Sequence, residues 1–144
     1  MLKGVPNIIS PELLKILMEM GHSDEIVLAD GNFPAASVAR RLVRADGHNI
    51  PELLEAILKF FPLDTYVGSA VVLMAVVPGD KVKPIIWEKY HAILKKSGEK
   101  FVSFEMVERF AFYERAAKAY AVVATSEAAL YANVILKKGV IKPD

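Results

Sequence analysis

Residues 69–77 restrict the fold more than any other stretch. Val71, Val72, Leu73, Met74, Val76 and Val77 would put apolar side chains on both faces of an extended segment. A strand without a polar face has to be covered on both sides, as in the centre of an α/β sheet. Pro78-Gly79-Asp80 then turns the chain. Residues 26–29 form a second apolar run between polar flanks and read as a buried strand. Shorter strands are expected over 42–47, where Asp46-Gly47 supplies a turn, and over 120–125 and 132–136.

Helical patterns lie between these runs. Ser10-Pro11-Glu12 is a helix start: a cap, a proline suited to the first turn and a carboxylate at the positive end of the dipole. Leu13, Leu14, Ile16, Leu17 and Met20 form its apolar face, and Gly21 stops it. Asn49 and Glu52 have capping-box spacing before the stripe Leu53, Leu54, Ile57, Leu58 and Phe61, which Pro62 ends. Further helices are expected over 84–96 and, capped by Ser103, over 104–119, with a short one within 34–42. The alternation predicts an α/β fold, a single compact domain over 1–144 with a central sheet between helix layers. Ligands of such sheets bind beyond strand ends, so candidate residues belong there.

Composition narrows the function. Of 144 residues 53% are hydrophobic and 24% charged, which describes a globular chain. A net charge of +1, with basic residues scattered, gives no footprint for nucleic acid or an anionic membrane. The absence of cysteine excludes disulfides, thiolate metal sites and cysteine nucleophiles. No apolar run is long enough to span a bilayer, and the first residues lack a signal-peptide core. A soluble cytoplasmic protein is expected, and the apolar excess favours a homo-oligomer. No glycine-rich phosphate loop occurs, and no two of His22, His48 and His91 have metal-ligand spacing on one helix. Neither a cofactor nor a metal is expected.

The candidate chemistry begins at His22 and Asp30, which flank the strand over 26–29. An imidazole titrates near neutrality and suits proton transfer. A five-residue strand spans about 16 Å, so the two side chains meet one small ligand in the same subunit only if the chain before the strand folds back. The plainer reading makes His22 a helix cap and Asp30 a turn former. Arg109 is a candidate donor to a neutral polar ligand, or else an ion-pair partner on a solvated helix face. Tyr131 and Asn133 share a face if the chain is extended there, which would aim a hydroxyl and an amide at one pocket.

Six segments then resemble the sugar mutarotase family that contains L-fucose mutarotase and D-ribose pyranase. They are Ile9-Ser10-Pro11-Glu12-Leu13-Leu14, Met20-Gly21-His22-Ser23-Asp24-Glu25-Ile26, Ala29-Asp30-Gly31-Asn32-Phe33-Pro34, Arg44-Ala45-Asp46-Gly47, Arg109-Phe110-Ala111-Phe112-Tyr113-Glu114-Arg115-Ala116, and Tyr131-Ala132-Asn133 through Val140. The segment at Arg109 is closer to the fucose branch, since the ribose branch has a His near that position. The resemblance implies an α/β domain assembled as rings of subunits, often decamers, with sites near subunit contacts. It implies that His22 donates a proton and that Asp30, Arg109, Tyr131 and Asn133 bind sugar. It implies cofactor-free mutarotation of L-fucose, with a D-ribose pyranase or a non-catalytic sugar-binding protein as the alternatives. In this scheme Asp30 orients the sugar or tunes His22, and Tyr131 holds a hydroxyl or relays the second proton. At Ala124-Thr125-Ser126-Glu127 the chain departs from the family pattern, where an Arg and a Gly are expected.

Overall fold

The computed structural model describes residues 1–144. The elements follow in the order α1 (Pro11–Glu19), β1 (Glu25–Ala29), α2 (Ala35–Val38), β2 (Leu42–Ala45), α3 (Ile50–Ile57), β3 (Val71–Met74), α4 (Ile86–Lys96), β4 (Glu105–Val107), α5 (Arg109–Lys118), β5 (Ala121–Thr125) and β6 (Val134–Lys137). The six strands form one sheet in the order β2-β5-β1-β6-β3-β4. β1 runs parallel to β5, β5 to β2, and β3 to β4. β6 lies between β1 and β3 and is antiparallel to both, with Val27 and Val72 flanking Ile135. Five strands therefore share one direction, and their carboxyl ends form one edge of the sheet. The start of β6 reaches that same edge.

Alternation along the central strands divides the core into two layers. Ile26, Leu28, Leu73, Val123 and Leu136 pack with Leu13 and Leu17 of α1, Leu53 and Ile57 of α3, and Tyr90 and Leu94 of α4. Val27, Val72, Val122 and Ile135 face the other way, onto Phe112 and Ala116 of α5 and Ala35 of α2. The α/β arrangement with helices on both faces follows from this two-sided apolar pattern. The cap at Ser10 accepts from Leu13 N at 3.1 Å. Glu52 reaches back to Asn49 N at 2.9 Å at the start of α3.

The region after Ser103 differs from the helix expected over 104–119. Residues 105–107 form the edge strand β4 beside β3, and the helix starts only at Arg109. Two local forces set this boundary. β3 has a free edge that takes Glu105 to Val107, and Ala75 N continues the pairing to Val107 O at 2.7 Å. Glu108 then caps α5 through Oε2, which accepts from Phe110 N and Ala111 N. α3 and β3 are also shorter than expected. α3 ends at Ile57 and not at Phe61, and β3 covers only 71–74 of 69–77.

Candidate functional site

The carboxyl edge of the sheet holds a cleft of about 230 Å³. The segments that follow β1, β3 and β4 and the one that joins β5 to β6 contribute to it. Asp30, Asn32 and Phe33 follow β1, and Met74, Val77 and Asp80 end or follow β3. Arg109 and Tyr113 lie on α5 just after β4, while Leu130, Tyr131 and Asn133 precede β6. The cleft thus sits where β6 separates two groups of parallel strands, a place where connections leave in opposite directions.

Asp30 is buried, and its main-chain N–H donates to Asn133 Oδ1 at 2.8 Å. This bond locks the exit of β1 to the entry of β6. Asp30 Oδ1 accepts from Asn32 N at 3.0 Å. Burial pushes the Asp30 carboxyl above its ordinary range, against hydrogen bonds from Asn32, Phe33, Ala132 and Asn133 that act in the other direction. Gly31 lies close under the loop after β5: a Cβ there would come to 3.3 Å from Glu127 O, a tight contact. Gly31 N donates to that same carbonyl at 2.8 Å.

The segment 124–127 builds this neighbourhood, through two residues that keep the expected pattern, Thr125 and Glu127, and one that departs from it, Ser126. Thr125 Oγ1 donates to Ala29 O at 2.7 Å and accepts from Glu127 N at 3.1 Å. Ser126 Oγ accepts from Gly47 N at 2.7 Å. The buried Glu127 carboxylate accepts from Ile50 N at 3.2 Å and Ala129 N at 3.0 Å. The turn is closed by these side chains and fixes the loop that carries Asp30.

Tyr131 is not extended. Its φ is +56°, in the left-handed region. Tyr131 and Asn133 still line the same cleft, through a turn and not through strand alternation. The Tyr131 hydroxyl donates to Asp80 Oδ2 at 2.6 Å and accepts from Val77 N at 3.3 Å. Trp87 Nε1 donates to Tyr131 O at 2.8 Å, and Tyr90 Oη donates to Ala132 O at 2.7 Å. Helix α4 thereby holds the 131–133 segment from below. The hydrogen bond to Asp80, and then burial, raise the Tyr131 phenol, while the Arg109 charge acts against them. Tyr131 and the Val82 N–H in turn lower Asp80. Arg109 is exposed, and its guanidinium lies 4.7 Å from the centre of the Phe110 ring.

His22 is elsewhere. It precedes β1, at the amino edge of the sheet, so the length of β1 separates it from Asp30. The chain before β1 does not fold back, and Asp30 does not pair with His22. The carboxylate on His22 belongs to Asp64, whose Oδ1 lies 3.2 Å from His22 Nε2. Burial pushes Asp64 up, but the Tyr66 N–H, the His22 hydrogen bond and the charges of His22 and Lys137 outweigh it and hold its carboxyl below the usual range. An ionised carboxylate only accepts, so Nε2 is the nitrogen that donates to Asp64, and Nδ1 takes no part in this bond. The Tyr66 ring packs on the imidazole at 5.4 Å between centres. His22 itself is exposed.

Asp64, Tyr66, Asp80 and Tyr113 were not among the expected site residues. Asp64 and Asp80 look like ordinary turn formers in sequence, and only the fold puts one on His22 and the other on Tyr131. No three His, Asp or Glu side chains converge as metal ligands anywhere in the chain.

Residues 3–141 match the model of the RbsD / FucU transport protein family. The chain belongs to the RbsD / FucU transport protein family. Within that family it is 57% identical over 149 aligned residues to a fucose mutarotase of Danio rerio, covering 99% of this chain and 96% of that protein. It is 52% identical over 140 residues to an L-fucose mutarotase of Actinobacillus pleuropneumoniae, covering 97% of each chain. The crystal structure of the Streptococcus pneumoniae fucose mutarotase in complex with L-fucose superposes with a TM-score of 0.93 at 55% identity, covering 98% of this chain and all of that one.

Proposed function

We propose that this member of the RbsD / FucU family is a cofactor-independent L-fucose mutarotase, and that two copies of the chain build each complete site. The carrying observation is the cleft at the carboxyl edge, in a chain so similar over its whole length to a mutarotase crystallised with L-fucose. At about 230 Å³ the cleft falls below the roughly 300–1,000 Å³ of drug-sized pockets and suits a single sugar ring. Its lining is mixed in the way a 6-deoxy sugar needs. Asp30, Arg109, Tyr131 and Asn133 offer hydrogen bonds to hydroxyls, and Phe33, Met74 and Val77 offer an apolar wall to the methyl group.

Mutarotation opens the ring when the ring oxygen gains a proton and the anomeric hydroxyl loses one. The open aldehyde then rotates about its C1–C2 bond, and the ring closes on its other face. The chemistry requires a group that both gives and takes protons near pH 7, which is the role of His22. Asp64 orients the imidazole and leaves Nδ1 toward the sugar. Asp30, Arg109 and Asn133 hold the ring, and Tyr131 contacts a hydroxyl.

A neighbouring copy supplies the imidazole. His22 and the cleft lie on opposite edges of one sheet, about 16 Å of strand apart, so no rotamer of His22 closes the gap. A closed ring of chains, decameric in the expected form, would present the amino edge of one to the carboxyl edge of the next. The proposed compartment is the cytoplasm, which fractionation of the source cells tests.

Anomeric exchange of L-fucose, followed by NMR at the anomeric protons, tests the assignment. Exchange above the buffer rate that vanishes in His22→Ala at unchanged assembly is the expected result. Full exchange by that variant would remove His22 from the chemistry. Mass photometry reads the assembly directly, and a monomer with full activity would overturn the two-copy site.

A further inference from the structure

The loop between β3 and α4 contacts the cleft through a carboxylate that sugar binding by itself does not require. Asp80 Oδ2 accepts from the Tyr131 hydroxyl at 2.6 Å, within the short range of charge-assisted O–H···O bonds. Its other oxygen, Oδ1, accepts from Val82 N at 3.0 Å. Asp80 N donates back to Val77 O at 3.0 Å, across a turn in which Gly79 has a φ of +89°. The carboxylate is therefore fixed at both oxygens before any ligand arrives.

A phenol has one O–H to donate and two lone pairs with which to accept. At Tyr131 the O–H is spent on Asp80, and one lone pair is spent on Val77 N. One lone pair remains. From these contacts we propose that Asp80 is a positioning residue that makes Tyr131 a hydrogen-bond acceptor only, so that the cleft selects a sugar hydroxyl that donates at this point. This rests on the mutarotase reading for the identity of the ligand, but not for the clamp itself. It also means that Tyr131 has no proton free to give to the sugar, and the relay role falls to other groups.

The substitution Asp80→Asn has a predictable geometric consequence. The Val82 N–H is a fixed donor, so the Asn carbonyl must stay on it. The Asn amide then faces Tyr131 and donates to the phenol oxygen. The phenol must turn its own proton toward the cleft, and its polarity there reverses. Asp80 is exposed, so the fold does not depend on it.

The experiment measures L-fucose dissociation constants by titration calorimetry for wild type, Asp80→Asn, Tyr131→Phe and the double variant. Asp80→Asn should weaken binding about tenfold, the size of one lost hydrogen bond to a polar group. In the Tyr131→Phe background it should change binding less than about twofold. A panel of monodeoxyfluoro L-fucoses adds a second reading. Fluorine cannot donate, so at the contacted position it should cost wild type about tenfold and Asp80→Asn far less. Equal weakening by Asp80→Asn in both backgrounds, or none in either, overturns the proposal. A third reading uses no sugar: protein labelled at tyrosine Cζ should show the Tyr131 phenol ionising at lower pH in Asp80→Asn. An unchanged titration overturns the clamp. A wild-type protein that fails to bind L-fucose while this titration shifts would instead overturn the mutarotase reading and leave the clamp standing.

Discussion

Asp30 carries opposing demands. Its carboxyl is buried at the end of β1, and burial raises its pKa. The native state then holds its proton to higher pH than the unfolded chain does. Stability should fall as pH rises between the unfolded and folded values, and stay at the lower level above both. Asp30→Asn keeps the oxygen that accepts from Asn32 and removes the charge. The variant should melt at or above the wild-type temperature at pH 7, and the difference should close as pH drops below the folded value. Its affinity for L-fucose should fall over the same pH range in which its stability advantage appears. Thermal melts and calorimetry at matched pH check the two halves; a variant less stable at every pH would contradict the burial argument. Asp64 has the reverse sign. Its lowered pKa supports the fold above the unfolded value, and that support disappears on acidification. Asp64→Asn should therefore lose acid-range dependence at the His22 edge and slow exchange by releasing the imidazole.

At the scale of elements, helix α4 matters for a segment it does not adjoin in sequence. Tyr90 is fully buried, and its hydroxyl meets Ala132 O. Tyr90→Phe leaves that carbonyl unpaired and should cost about 1–3 kcal/mol in denaturant unfolding. It should also weaken L-fucose binding through Tyr131 and Asn133, although Tyr90 does not line the cleft. Phe112 anchors α5 on the opposite layer, and Phe112→Ala should cost about 3–5 kcal/mol. These elements differ in how far the sequence exposes them. The two-sided apolar runs at 26–29 and 71–74 are legible because central strands must be apolar on both faces. Strand β4 is not, since Glu105, Met106 and Val107 are too few to show a period and sit at an exposed edge. The turn at Tyr131 is equally hidden, because a left-handed tyrosine has no composition signal of its own. Asp30, Arg109, Tyr131 and Asn133 could be named from sequence and do meet in one cleft, but the partner of His22 could not. Asp64 is 42 residues away in the chain, and only the packing of β1, β6 and β3 brings it to the imidazole.

The whole molecule is a sheet with the cleft at one edge and the His22–Asp64 pair at the other. Both apolar layers are built on β1, β3, β5 and β6, so residues 1–144 should unfold in one cooperative transition, with calorimetric and van't Hoff enthalpies equal per cooperative unit. If each cleft borrows its imidazole from a neighbouring copy, as proposed, specific activity should drop on dilution through the dissociation range. His22 is separated from the cleft by the length of β1, so the proposed two-copy site would let two dead proteins revive each other. A chain with His22→Ala retains a sound cleft, and a chain with Arg109→Ala retains a sound imidazole. Co-refolded in equal amounts, they would pair a sound cleft with a sound imidazole at about one junction in four. A mixture of two inactive preparations should then recover roughly a quarter of wild-type turnover by this random-assembly count, and a site complete within one chain would recover none.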